Sequence, residues 1–456
     1  MTTFEYDVVV AGAGTAGCYA AATVANAGYD AVVVERKDEL EAGHIACGDA
    51  LKGAGNFPES IPKSQIEDAF TNTDVDHGRF EIPRENAALD IPVPGELAVI
   101  DRWEYGRLVI EGARQAGADV HYETVVKDVI QDDDGRVQGL QAVRKGEPRT
   151  YEAEIVIDGA GALSLLQDEI DFSGTTFDTN VRYSQFSSAY REIVEVEEPV
   201  EWSDALVFKP TKRSAGYLWY VPRTPTEINV GLGFQMNEEP MQLVDDLHAD
   251  LRRRPEFENA TVKDKLGAAL PTRRPYDSAI APGYMAVGDA AAHVNPISGG
   301  GIAGAAYAGQ YAGEQAIEAI QDDDASEAAL WEYNQRVMDH YGGRYAALDV
   351  YNIFASAYDL DDLLGLLAAM PSEKISSALY SGSASLGPGL KLRILLKSFG
   401  HWGTLKDLYG VKKLADRLLE HYGTYPDSPD AFEAWRTERD AIMDDIYDSI
   451  GAEAKY

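Results

Sequence analysis

Three carboxylates stand where an apolar strand gives way to a turn. Glu35 closes AVVV, Asp158 closes EIVI ahead of Gly159 and Gly161, and Asp289 follows a short strand and Gly288. An acid at the C-terminal end of a strand is placed to accept hydrogen bonds from sugar or polyol hydroxyls. Glycines accompany each acid, and a run of them, Gly299-Gly300-Gly301, opens a long helix. Several free N–H groups and the positive end of a helix dipole make such a run an anion-seeking nest. Arg102 opens another helix behind a capping Asp101. A cation there opposes the helix dipole, which points to a bound anion such as a pyrophosphate, with a surface ion pair as the alternative. One thiol, Cys47, lies between Ala46 and Gly48 in the glycine-bearing loop 43–55. It reads either as a small buried apolar side chain or as a thiol beside a bound ligand.

These groups need a scaffold, and residues 7–35 supply its first part. The stretch reads as a buried strand, a glycine turn (Gly12, Gly14, Gly17), a helix and a second buried strand ending in Glu35. Gly12 permits the tight turn, Gly14 lets backbone approach a pyrophosphate, and Gly17 lets the helix pack on the strand. Residues 60–100 suggest small strands of an inserted sheet. Beyond the helix at 102, residues 120–143 predict a hairpin with an Asp-Gly turn. Residues 172–270 are strand-rich and aromatic, as expected of an antiparallel sheet. Alternation in YLWYVP puts Tyr217, Trp219 and Val221 on one face, and eight residues later Gly231 and Gly233 leave the facing strand bare. That arrangement is either a slot for a flat or elongated apolar ligand or ordinary sheet packing around glycine. Small residues after Gly301 would let their helix lie against something broad and planar, or against another helix.

The expected architecture is α/β plus an antiparallel sheet. Residues 1–170 and 270–325 form a Rossmann-type cofactor domain, 171–269 an inserted antiparallel-sheet substrate domain, and 326–456 a C-terminal helical lobe. The 456 residues suffice for a large core. With 76 acidic against 40 basic residues the net charge is −36, yet 45% hydrophobic content excludes simple disorder. The charge reads as the solvated coat of a protein from a high-salt cytoplasm, with an acidic surface built for a basic partner as the alternative, and the lack of a basic field argues against nucleic acid as a partner. No Cys/His cluster suggests a metal, no cleavable signal precedes the first strand, and no apolar run is long enough to span a membrane. Leu390 to Leu414 is the exception in so acidic a chain. Its lysines and arginine, interleaved with Leu, Ile, Phe and Trp, suit an interfacial helix on anionic headgroups or a helix docked on the acidic body.

In order and spacing, GAGTAG with Glu35, Asp101-Arg102, Asp158-Gly159, and VGDAA followed by NPISGGGI resemble the FAD-dependent para-hydroxybenzoate-hydroxylase-type flavoproteins. Cys47-Gly48, YLWYVP-x8-GLG and NPISGGGI narrow the resemblance to the archaeal geranylgeranyl reductase (digeranylgeranylglycerophospholipid reductase) family. That family's aromatic motif has Phe where this chain has Val221, and the resemblance runs to about Ile320. It implies FAD, with Gly12, Gly14, Ala16, Gly17 and Glu35 on the ADP part and Arg36 beside them. Arg102 and the backbone of Val126 would contact pyrophosphate and adenine, and Gly288-Asp289 would hold ribitol and diphosphate. Gly300, Gly301 and Ile302 would present N–H groups to the flavin. Cys47 and Gly48 would lie beside the isoalloxazine, Cys47 as the one catalytic side chain. Tyr217, Trp219, Pro222, Gly231 and Gly233 would line a prenyl tunnel. The implied reaction saturates geranylgeranyl chains of archaeal membrane lipids with hydride from reduced flavin N5, electrons coming from ferredoxin, NAD(P)H or a quinol. The prenyl tail of menaquinone is a competing substrate, and a flavin monooxygenase acting on an aromatic or polyene is a competing class. A cytoplasmic protein with peripheral membrane contact through 390–414 is the expected setting.

Overall fold

The computed structural model describes residues 2–53, 56–82, 87–93, 95–211, 216–236, 239–358 and 402–456. Apolar runs without alternation, such as Val8-Val9-Val10 and Val32-Val33, form strands with neither face in water, the pattern of a parallel sheet covered on both sides. An eight-stranded sheet follows, in which 284–286, 147–158, 2–11, 31–34 and 119–121 lie side by side and parallel. Ala11 is level with both Val34 and Asp158, and Asp158 is level with Ala286. The four turns that carry Gly12, Glu35, Gly159 and Gly288 therefore leave the sheet at one edge. The strand 147–158 also pairs, in its first half, with a hairpin of 137–144 and 124–131.

Helix Thr15–Asn26 covers the sheet, flanked by Arg102–Ala116 and Ile302–Asp322. The small residues of the last helix serve this contact in part. A Cβ on Gly309 would stand 2.1 Å from the Ala16 carbonyl oxygen, and one on Gly313 would stand 2.7 Å from Thr23 Cβ. At these two positions the broad surface the small residues meet is another helix.

A seven-stranded sheet runs 261–271, 186–195, 227–235, 217–222, 205–210, 77–82, 87–92. Its neighbours are antiparallel except for 205–210 with 77–82. The paired strands 77–82 and 87–92 come from inside the 1–170 span of the sequence-based division, so the sheet draws on chain outside 171–269. One face packs on helix Pro240–Leu251 around Leu218, Tyr220, Val230 and Leu232; the other bears Tyr217, Trp219 and Val221. A three-stranded sheet of 50–52, 97–100 and 70–72 joins the two halves.

The rest of the described chain is helical: Glu327–Val337, a π-turn at Met338–Gly342, Gly343–Ala357, Trp402–Tyr422 and Phe432–Ile450. Of the basic stretch 390–414, residues 390–401 lie outside the described residues. From residue 406 on it belongs to a helix lying along Gly343–Ala357, with Val411, Ala415 and Leu418 buried. Lys412 pairs with Asp416, and Lys413 stands over the Tyr409 ring. Among the described residues no helix is long and apolar enough to cross a membrane.

Candidate active site

The glycine turn is built for close approach. Gly12 has φ +93°, and a Cβ there would lie 2.6 Å from the Gly159 carbonyl oxygen, so no other residue fits without strain. A Cβ on Gly17 would lie 2.1 Å from the Gly12 carbonyl oxygen, which draws the helix onto the turn. Gly14, the N-terminal boundary of the helix, has ordinary φ, and its Cβ would find nothing nearer than 3.9 Å. Only an external group would need that position bare. Glu35 has spent part of its carboxylate inside the fold, accepting from Ala13 N–H at 3.0 Å and Lys37 N–H at 2.8 Å. It braces the turn and keeps lone pairs for a further donor. Arg36 is exposed beside it. Val126 lies half-buried on the strand 124–131, whose Thr124 N–H donates to the Glu35 carbonyl at 2.8 Å.

Opposite the turn, Gly288 comes within reach of Ala16; a Cβ on it would lie 3.0 Å from the Ala16 methyl. Asp289 follows, 3.6 Å from where a Cβ on Gly301 would stand. Burial pushes its carboxyl up to about 6, against the pull of Arg102. Arg102 is itself buried and stacks near Tyr105, and its Nη1 has no hydrogen-bond partner among the described residues. An orphaned guanidinium N–H at this depth is the signature expected of an anion site. Gly301 begins helix Ile302–Asp322 with no side-chain cap among the described residues. The first-turn N–H groups after Gly300, including that of Ile302, thus face the same crevice without an internal partner from the helix. His293, absent from the sequence-based candidates, accepts from Gly288 N–H at 3.2 Å through Nδ1 and is held neutral by burial, which pushes it down to about 3.

The aromatic strand closes the crevice. Tyr217 donates to the Ser298 carbonyl at 2.9 Å, tying the second sheet to the glycine loop, and burial pushes its hydroxyl up to about 12. Register pairs Tyr217 with Gly233 and Trp219 with Gly231, as alternation anticipates. The indole itself fills the bare place: a Cβ on Gly231 would stand 2.2 Å from Trp219 Cζ2. Its nitrogen edge faces the loop of Cys47, 3.6 Å from where a Cβ on Gly48 would lie. Pro222 does not join Tyr217 and Trp219: it ends the strand level with Ile228, on the face of Leu218 and Tyr220, because alternation turns it away from Trp219, and its carbonyl accepts from Asn72 Nδ2 at 3.0 Å. Burial pushes the Cys47 thiol up, Asp49 adds to this, and Arg102 opposes it. The thiol accepts from Asp49 N–H at 3.3 Å.

Asn229, Asp49 and Arg223 also escape a reading of motifs. Asn229 is fully buried two residues before Gly231, so alternation does place it on the same face. Asp49 is fully buried with φ +62°, and Arg223 Nε donates to its Oδ2 at 2.7 Å.

A nucleotide-binding edge, an orphaned arginine and an uncapped helix facing one crevice define a flavoprotein-type site. The family model described as "FAD binding domain" matches residues 5–341. A digeranylgeranylglycerophospholipid reductase of Sulfolobus acidocaldarius is 27% identical over 99% of this chain and 100% of its own length. The protein of that name from Methanothrix thermoacetophila is 30% identical over 81% of this chain and 92% of its own. Among solved structures, a geranylgeranyl bacteriochlorophyll reductase-like protein of Thermoplasma acidophilum shares the fold. It has a TM-score of 0.73 and 23% identity over 90% of this chain and 100% of that one. The chain belongs to the FAD-binding-domain family and, within it, to the digeranylgeranylglycerophospholipid reductases.

Proposed function

We propose that this protein is an FAD-dependent reductase that saturates the double bonds of geranylgeranyl chains on archaeal glycerophospholipids. The observation that carries this is the aromatic face of Tyr217 and Trp219, set on the loop of Cys47 at one end and on the glycine loop before Ile302 at the other. Gly12, Gly14, Ala16, Gly17 and Glu35 would hold the adenosine half of FAD, with Arg36 and Val126 at its rim. Arg102 would take the pyrophosphate on its free Nη1, and Asp289 with Gly288 the ribityl chain. Residues 1–170 and 270–325 would carry the cofactor, the second sheet the substrate, and 326–456 the helical lobe behind them.

Bound FAD would supply the electron pair, and an isolated trisubstituted double bond also requires a proton at its other carbon. The first-turn N–H groups after Gly300 and Gly301, with the Ile302 helix dipole, would stabilise negative charge placed beside them. Tyr217 and Trp219 would orient the chain and exclude water, Gly231 and Gly233 allowing the indole to lie flat on the sheet. Cys47, kept protonated by burial, would hold a proton at Sγ beside the reacting carbons. The acidic surface would suit a high-salt cytoplasm, and 390–414 would rest on anionic headgroups, testable by co-sedimentation with anionic and neutral vesicles.

The test uses protein purified at high salt, reduced with dithionite without oxygen and given digeranylgeranylglycerol phosphate. Mass gains in steps of two hydrogens, with the flavin reoxidised, are expected. An untouched lipid overturns the reading: oxygen uptake with an aromatic or polyene substrate would mark a monooxygenase, and reduction confined to a menaquinone tail would move the substrate. Replacing dithionite in turn with reduced ferredoxin, NAD(P)H and a quinol identifies the donor.

A further inference from the structure

Trp219 stands on a strand of the second sheet and Cys47 in the loop before strand 50–52, far apart in sequence, yet a single side chain spans them. Trp219 Nε1 donates to Asn229 Oδ1 at 2.9 Å, and Asn229 Nδ2 donates to the Cys47 carbonyl at 2.8 Å. The chemistry fixes which way round the amide sits. An indole N–H only donates and a backbone carbonyl only accepts, so Oδ1 must face Trp219 and Nδ2 must face Cys47. No other orientation satisfies both, and Asn229 is fully buried, so its own amide has no water to fall back on. A chain of this kind, donor to amide to acceptor, polarises along its length. We propose that Asn229 is a positioning residue for the reduction, fixing the Cys47 loop against the nitrogen edge of Trp219. The inference rests on the reductase reading above.

The loop has a second anchor. Arg223, at the turn of the same hairpin as Asn229, binds Asp49 and reaches Asp101 Oδ2 at 3.3 Å. Asp101 caps the helix that begins with Arg102. Asp49 alone would leave Cys47 free to tilt about a left-handed residue; Asn229 stops that tilt at Cys47 itself.

An amide is needed here, and an acid would serve only when protonated. In Asn229→Asp a carboxylate oxygen would face the Cys47 carbonyl and repel it, whereas the neutral acid would accept from Trp219 and donate to Cys47, restoring the pattern. The charged and titratable groups around the site are Cys47 and Asp49 on the loop and Arg223 and Glu227 on the hairpin. Arg191 and Asp264 lie on neighbouring strands, Arg102 at the start of its helix acts on the Cys47 thiol, and Asp101 lies beyond Arg223. All are present in the parent protein, so the difference between the two pH profiles isolates position 229.

Holoprotein carrying Asn229→Asp is compared with the parent for flavin absorbance, iodoacetamide labelling of Cys47 read by peptide mass, and lipid turnover from pH 5 to 9. The expected result is retained flavin, with faster labelling and a kcat about tenfold to a hundredfold lower at high pH. Both should return toward parental values as pH falls, and Asn229→Ala should lose turnover without that return. Parental labelling and turnover at every pH, or a loss that acid does not relieve, would overturn the proposal. If the variant fails to fold, exchange of the Trp219 indole proton in the parent decides. Protection far beyond that of Trp103, whose side chain is exposed, supports the bridge, and equal exchange removes it. Labelling reports the bridge even if the parent reduces no prenyl lipid, which separates failure of this inference from failure of the reductase reading.

Discussion

Gly12 and Gly159 meet backbone to backbone at the edge of the main sheet. The Gly159 N–H donates to the Ala11 carbonyl at 2.8 Å, and its own carbonyl sits where a Cβ on Gly12 would go. The first glycine of the turn is therefore demanded by the fold, before any ligand arrives. Gly14 has no such neighbour, so the pair separates folding from binding. Gly12→Ala combines a positive φ with a 2.6 Å clash and is expected to destabilise the protein by about 1–3 kcal/mol and to lose flavin. Gly14→Ala should melt within a few degrees of the parent and bind FAD at least tenfold more weakly. The comparison needs thermal unfolding and FAD titration of deflavinated protein. Equal stability of the two variants would contradict the packing argument.

Asp289 is buried within reach of the Arg102 charge, which opposes the upward push of burial on its carboxyl. Asp289 sits at about 6 in the fold, above its ordinary value of 3.8. A carboxyl raised on folding binds its proton more tightly in the native state, so stability is highest below the unfolded value and falls as pH rises through about 6. Deflavinated protein should lose on the order of 1–3 kcal/mol between pH 4 and 6 from this group. Asp289→Asn should flatten that window in urea unfolding at fixed salt. Arg102→Met should weaken FAD by about tenfold to a hundredfold, through loss of a charged donor to phosphate.

Much of this site was legible because its signals are local. A buried strand, glycine turn, helix and acid recur within 29 residues, and period-two alternation is enough to set Trp219 opposite Gly231. What sequence did not reveal depends on segments meeting from afar. The strand 77–82 adds to the second sheet through a parallel pairing with 205–210, for which no short-range pattern exists. Asp49 and Arg223 look like surface charges until the fold buries them together. A stripe of small residues permits close approach without naming the partner, and Gly309 shows one such partner to be a helix. Glu35 illustrates the reverse: its position was readable, but its bonds to Ala13 and Lys37 depend on the turn already being folded.

Cys47 and Cys18 are both free thiols, and both are pushed up by burial. Since the thiolate is the species that alkylates, neither should label quickly at neutral pH in the holoprotein. Labelling of Cys47 should accelerate only above the ordinary thiol range, and Cys18, fully buried in the first helix, should label only on unfolding. Cys47→Ala should keep FAD and the parental melting temperature while lowering turnover. Rapid labelling of Cys47 at pH 7 would mean that the thiol is ionised and would remove it as a holder of the proton.

Arg223 joins three carboxylates, Asp49 at 2.7 Å, Asp101 at 3.3 Å and Glu227 at 3.4 Å, with Asp49 wholly out of water. Burial pushes the Asp49 carboxyl up, and Arg223 is the main force opposing that. Removing the arginine leaves a buried charge uncompensated, which costs about 3–5 kcal/mol, whereas removing both charges costs far less. Arg223→Met should therefore unfold at much lower urea than the double variant Arg223→Met with Asp49→Asn. Acid should partly relieve the single variant, because the native state then gains by taking a proton on Asp49: its stability should rise more steeply as pH falls from neutrality toward 4 than that of the double variant, which keeps only the slope from other groups such as Asp289. Equal destabilisation of the single and double variants would mean that Asp49 is already neutral in the parent. The joint between cofactor domain and aromatic sheet would then rest on the Asn229 bridge and the contact of Tyr217 with Ser298.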